Sequence, residues 1–250
     1  MALSKGTKFQ GLGTQPDAPA VVYAFGEAGT GAAAWKGFRA GLGEQAEVRA
    51  IRLPGRESRY RERPVSSVQE QLDDLADDLA ALVDHDERPY VLVGLCVGSL
   101  SAFELARFLT ARDGHRPGGL VVGQQRAPAE LPGDATPVHM YSKEEFRAWC
   151  EEYLGDRPEL ATPATLDFFA PMLQADFSLV PTYRYESLPL LSCAVTAVCE
   201  HEEAECTRGW ADITEGAFSL RCQADHVTVD SLLAPTVDQI AQQGRLCRPV

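Results

Sequence analysis

The sequence predicts an α/β fold: a mostly parallel central sheet with helices on both faces. Three observations carry this. Short, continuously apolar runs alternate along the chain with segments of helical periodicity, which is the pattern of parallel strands joined by crossover helices. Most of these runs show no in/out alternation, as expected of strands covered on both sides. The chain has 250 residues, 45% of them hydrophobic and 24% charged, which is ample for one sizeable core and ordinary for a globular protein.

Residues 1–18 carry Gly, Gln, Thr and Pro without periodicity and read as a loose lead-in. Ala20–Phe25 is a buried strand ending at glycines, and residues 32–42 read as a helix. Glu47–Arg52 is a second strand, stopped by Leu53-Pro54-Gly55. Val68, Leu72, Leu75, Leu79 and Leu82, spaced by four and three, form one apolar stripe of a helix. Its other side holds Asp73, Asp74, Asp77 and Asp78, read as a solvated face. Tyr90–Gly94 is a strand followed at once by a helix over about 97–111. Gly119–Gly123, Ala194–Cys199 and Ala217–Cys222 are further strands, and a last helix covers about 229–243.

Residues 140–182 interrupt the alternation with two helical segments and no strand between them; Ser142 and Glu145 have the spacing of a capping box. The expectation is one domain over 1–250 with a helical lid inserted at 140–182, since insertions of this size tend to cover binding sites.

The net charge of −13 argues against nucleic acid and anionic membranes as partners. MALSKGTKFQGLG lacks the apolar core of a secretory signal, and no run is long enough to span a membrane. Seven cysteines, at 96, 150, 193, 199, 206, 222 and 247, show no C-x-x-C spacing. A cytoplasmic protein with reduced thiols is expected.

The sharpest local signal is Gly94-Leu95-Cys96-Val97-Gly98, between a strand and a helix. This is the context of a nucleophile elbow, with Cys at the nucleophile position. A tight turn demands that neighbouring side chains be absent, which the two glycines provide. The start of a helix favours a thiolate, and the Val97 N–H can face an oxyanion. Enzymes built on such an elbow order their residues along the chain as nucleophile, acid and histidine. His226 lies between the last strand and the last helix, where a catalytic His belongs. The preceding strand ends in a loop with His201 amid Glu200, Glu202 and Glu203, where the acid belongs; at most one of these carboxylates can orient the imidazole.

These residues resemble the type II thioesterases of non-ribosomal peptide and polyketide assembly lines, which are α/β-hydrolases. The resemblance runs from about residue 20 to 240. It is carried by Ala24-Phe25-Gly26-Glu27-Ala28-Gly29 at the oxyanion loop, Leu53-Pro54-Gly55-Arg56-Glu57, Ala102-Phe103-Glu104-Leu105-Ala106 and Arg126-Ala127-Pro128. Gln174-Ala175-Asp176-Phe177 in the lid, Trp210 and Thr214 complete it. The resemblance implies Cys96 as nucleophile, His226 as general base, and the backbone N–H groups of Ala28 and Val97 as the oxyanion hole. Glu203 falls at the position of the family's acid, with Glu202 as competitor. The departures are Cys for the family's Ser, Gly26 for its Pro, and Glu for its Asp.

The implied substrate is an acyl, aminoacyl or peptidyl thioester on the phosphopantetheine of a carrier protein. Passing it to Cys96 exchanges one thioester for another, a nearly isoenergetic step. That favours acyl transfer to a thiol or an amine over release to water. Hydrolytic editing is the first alternative, and a non-catalytic carrier-binding subunit the second. Phe146, Trp149, Phe168, Phe169, Met172, Leu173 and Phe177 supply apolar surface in the lid. Most of it must pack the lid; Phe169, Met172 and Phe177 are the candidates to line an acyl chamber. Neither G-x-G-x-x-G nor a P-loop is present, and His85 and His139 suggest no metal, so no cofactor is expected. A monomer is expected. Arg56, Arg59, Arg61 and Arg63 form a possible basic docking patch, although a solvated loop is the simpler reading.

Overall fold

The structure is a computed structural model and describes residues 8–13, 15–113, 116–131, 137–153 and 163–246. Cys247, part of the lead-in and the middle of the expected lid lie outside the described residues. Seven strands form one sheet: β1 (Phe9–Gly11), β2 (Val21–Phe25), β3 (Glu47–Ile51), β4 (Tyr90–Leu95), β5 (Gly119–Gly123), β6 (Ala194–Glu200) and β7 (Phe218–Gln223). Their order is β1-β3-β2-β4-β5-β6-β7. All neighbours are parallel except β1, which lies antiparallel to β3 with Phe9 opposite Ile51. This is the α/β-hydrolase fold the sequence leads one to expect. Strand β1 is the element that sequence reading missed: three residues at an edge are too few to show a period.

Alternate residues of each central strand enter two separate cores. Val21, Tyr23, Phe25 and Leu92 pack with Leu75 and Leu79 of α2 (Val68–His85) and with Phe103 and Ala106 of α3 (Val97–Asp113). Val22, Ala24, Val91 and Val93 pack on the opposite face with Phe38 and Leu42 of α1 (Lys36–Leu42). Leu232 and Ile240, beside and within the last helix (Leu233–Leu246), complete this second core. Both faces are therefore covered, which is why the strands read as unbroken apolar runs.

Helix α2 begins at Ser67, whose hydroxyl accepts from the Glu70 N–H at 3.1 Å, while the Glu70 carboxylate accepts from the Ser66 N–H at 2.7 Å. Its acidic side is less solvated than expected. The buried Arg59 guanidinium grips Asp74 at 2.7 and 2.8 Å, and Lys8 lies 2.7 Å from Asp78. Arg56 is buried as well, so the basic-patch reading is corrected for two of its four residues; only Arg61 and Arg63 are exposed.

Among the described residues, three α-helices lie between β5 and β6: α4 (Lys143–Tyr153), α5 (Pro163–Phe177) and α6 (Leu179–Thr182). The Ser142–Glu145 capping box forms, with reciprocal bonds of 3.2 and 2.7 Å. Phe146, Cys150, Leu166, Met172 and Leu173 make a small core of their own, and against it pack Trp149 and Phe177, edge-to-face to each other with ring centroids 4.7 Å apart. Phe168 stands 71% exposed beside Phe169.

Candidate active site

Strand β2 has β3 on one side and β4 on the other, so the sheet changes winding direction between β2 and β4. Open α/β sheets bind ligands at such a switch point, outside the carboxyl ends of the strands. The loop after β2 and the turn after β4 meet there.

The turn after β4 is a single residue, Cys96, with φ +54°. The close approach of its surroundings explains both flanking glycines. A Cβ on Gly94 would lie 2.5 Å from the Gly98 carbonyl oxygen and from the Ser99 Cα. A Cβ on Gly98 would lie 2.5 Å from the carbonyl oxygens of Phe25 and Gly26. Hydrogen bonds then lock the turn. The Cys96 N–H donates to the Gly123 carbonyl at 2.8 Å, and the Ser99 N–H donates to the Cys96 carbonyl at 2.9 Å. The buried Ser99 hydroxyl lies 3.0 and 3.1 Å from the Gly94 and Gly123 carbonyls, tying the elbow to β5. Its small polar side chain next to a glycine is the only mark Ser99 leaves in the sequence.

Burial pushes the Cys96 thiol above its ordinary pKa, and the carboxylates of Glu27 and Asp176 push in the same direction. The backbone N–H groups of Val97 and Ala28 act on the sulfur in the opposite sense. Val97, which adjoins Cys96, and Ala28, on the loop after β2, carry the two donors expected to form an oxyanion hole.

The loop carrying Ala28 is held from the lid side. Asp176, at the end of α5, accepts from the Gly29 N–H at 2.8 Å and takes both Arg56 guanidinium nitrogens, at 2.6 and 3.0 Å. Arg56 also donates to the Thr30 carbonyl at 2.9 Å. The pair is nearly dry, with side chains 7% and 2% exposed. Glu57 accepts from Arg52 at 2.8 Å and from the Ala33 N–H at 3.3 Å. The Leu53–Glu57 motif thus serves to bind the lid, the oxyanion loop and the first helix into one unit. The other motif residues are structural too. Glu104 holds Tyr183 at 2.5 Å, and buried Trp210 donates to the Gln125 carbonyl at 2.9 Å.

His226 follows β7, on a loop whose carbonyls at 225 and 226 accept from the Gln223 side chain at 2.9 and 3.0 Å. Its Nδ1 lies 2.6 Å from Glu200 Oε1. This corrects the expectation of Glu203 or Glu202. Strand β6 runs one residue further than its apolar pattern, so that Glu200 pairs with Gln223 at the end of β7, beside the His226 loop. The chain then turns into a 3₁₀ segment over 201–203, which holds Glu202 and Glu203 beyond the end of the strand. Sequence spacing tracked the loop but not where the strand stops. The Nε2 of His226 lies 2.8 Å from the Gln124 side-chain nitrogen. His201 is exposed and stands outside this constellation.

Of the candidate acyl-binding residues, Met172 is buried within the lid core, Phe177 packs on Trp149, and Phe169 is exposed. Besides Asp176, Leu173 of α5 reaches the loop after β2, its Cδ2 lying 2.9 Å from where a Cβ on Gly29 would stand. Among the described residues, no three His, Cys, Asp or Glu converge as metal ligands, and no helix is long and apolar enough to cross a membrane.

Comparison with known proteins accords with this architecture. The thioesterase domain family model matches residues 20–248. The linear gramicidin dehydrogenase LgrE of Brevibacillus parabrevis is 28% identical over 86% of this chain and 84% of its own length. The RedJ thioesterase of the prodiginine biosynthetic pathway of Streptomyces coelicolor superposes with a TM-score of 0.76 at 29% identity. It covers 90% of this chain and 88% of its own. The type II thioesterase BorB from the borrelidin biosynthetic cluster gives 0.77 at 26% identity, covering 96% and 97%. With its α/β-hydrolase sheet and a family match over nearly its whole length, the chain belongs to the thioesterase family.

Proposed function

We propose that this protein is a cysteine-dependent type II thioesterase-family enzyme of non-ribosomal peptide or polyketide biosynthesis. It takes acyl, aminoacyl or peptidyl groups from the phosphopantetheine thiol of a carrier protein, in the cytoplasm, where Cys96 stays a free thiol. The observation that carries the reading is a thiol on a glycine-flanked elbow at the switch point of the sheet, with His226, paired to Glu200, joined through Gln124 to the neighbouring strand end.

The chemistry follows from the groups present. Glu200 accepts the Nδ1 proton of His226, leaving Nε2 as the base. Nε2 takes the Cys96 proton as the sulfur attacks the thioester carbonyl, and the oxyanion lies against the N–H groups of Ala28 and Val97. The carbon–sulfur bond to pantetheine breaks, and the departing thiolate takes the proton from His226. An acceptor then gives its proton to Nε2 and attacks acyl-Cys96, and Cys96 leaves as the thiol. The first step trades one thioester for another, so it is reversible. This favours a thiol or amine acceptor, because both attack thioesters readily. Hydrolysis is the second reading, favoured by one observation: the His226 side chain is 65% exposed, so water reaches the base.

The test is incubation with acyl-pantetheine thioesters, followed by intact mass and compared with Cys96→Ala. A long-lived adduct on Cys96, discharged only by an added thiol or amine, is the expected result. Free acid with little adduct establishes hydrolysis instead. No adduct and no turnover across acyl, aminoacyl and peptidyl thioesters overturns the enzymatic reading and leaves a carrier-binding subunit.

A further inference from the structure

We propose that Gln124 is a positioning residue for this reaction: its amide occupies Nε2 of His226, so that the base is withheld from the Cys96 thiol until the amide gives way. The inference rests on Cys96 and His226 having the roles given above.

Gln124 is the first residue after β5, next to the elbow. The last residues of β4 and β5, Leu95 and Gly123, are paired, and the Cys96 N–H is bonded to Gly123. Gln124 is itself anchored to the next strand, its N–H donating to the Val198 carbonyl at 3.1 Å. Its φ is +52°, a left-handed backbone that suits glycine and that L side chains rarely adopt. Such backbone persists where the surroundings enforce it, and it concentrates at functional sites. Here it delivers the side chain to the imidazole, with the amide nitrogen 2.8 Å from Nε2 and 3.5 Å from Nδ1.

The hydrogen-bond roles follow from the ring. Glu200 Oε1, 2.6 Å from Nδ1, requires the proton of the neutral imidazole to sit on Nδ1. Nε2 is then an acceptor, and the Gln124 amide donates to it. That nitrogen is the one that must take the thiol proton. The amide must yield Nε2 for the proton to move. Gln124 is neutral, so it occupies Nε2 without adding charge to the site.

The test uses alkylation of Cys96 by iodoacetamide between pH 5 and 10, read on the Cys96 peptide by mass spectrometry. No thioester is involved, so the result is independent of the proposed substrate. Gln124→Gly, which also relieves the backbone, and Gln124→Ala should each alkylate about tenfold or more faster near pH 7, with a new limb from the Cys–His pair. Gln124→Glu should move the rising limb of the alkylation profile to higher pH, because a carboxylate facing Nε2 keeps the ring protonated and unable to take the thiol proton. Profiles of the Gly and Ala variants that superimpose on the parent, while the parent still forms acyl-Cys96, overturn the proposal. A changed alkylation profile with no acyl-Cys96 in any form upholds Gln124 and overturns the thioester reading instead.

Discussion

Replacing Asp176 with Ala tests the coupling between the lid and the oxyanion loop. The change leaves the Arg56 guanidinium, 7% exposed, without its carboxylate partner among the described residues, and leaves the Gly29 N–H without its acceptor. Breaking a buried ion pair from one side costs about 3–5 kcal/mol. A buried N–H left unsatisfied adds about 1–3 kcal/mol, less whatever water recovers by entering beside the vacated carboxylate. A loss of about 4 kcal/mol is therefore expected, a large share of the ~5–15 kcal/mol that stabilises a typical domain. The assay is urea unfolding of the parent, Asp176→Ala, Arg56→Met and the double variant. The double variant should be more stable than the sum of the single changes implies by at least about 2 kcal/mol, since it leaves no buried charge behind. Acylation of Cys96 should fall in Asp176→Ala even where the protein is folded, because Ala28 adjoins the loosened Gly29. A loss of under about 1 kcal/mol, or strictly additive singles, would refute the view that this pair fastens the lid to the catalytic loop.

Two further outcomes follow from the site. Glu200→Gln should slow acylation of Cys96 by about 10²–10⁴-fold, whereas Glu202→Gln and Glu203→Gln should stay within about twofold; an equal loss in Glu203→Gln would restore the acid expected from spacing. Burial raises the Cys96 thiol first and the Glu27 carboxylate raises it further, so Glu27→Gln should move the alkylation profile of Cys96 to lower pH. A profile unmoved by Glu27→Gln at low salt would show that this carboxylate does not act on the sulfur.

Much of the catalytic frame was legible before any coordinates. Gly94 and Gly98 announced an elbow because only glycine tolerates backbone at 2.5 Å, and that requirement is local. His226 was legible because a strand end and a helix start bracket it. Glu200 was not, because choosing among three neighbouring carboxylates depends on where β6 stops, and that is set by pairing with β7. Gln124 carried no signal: a glutamine after an apolar strand is ordinary, and only its φ of +52° and its reach to His226 mark it. Arg56 and Arg59 looked solvated because their partners, Asp176 and Asp74, lie 120 and 15 residues away along the chain.

The sequence by itself determined the alternation of elements, the two-sided burial of the strands and the glycine-flanked elbow at Cys96. These depend on periodicity and on steric demands within a few residues. Tertiary structure alone decided which carboxylate meets the imidazole, which arginine is buried, and which group occupies Nε2. Each of those is a contact between distant segments, settled by how strands end and pair, and no local pattern encodes it.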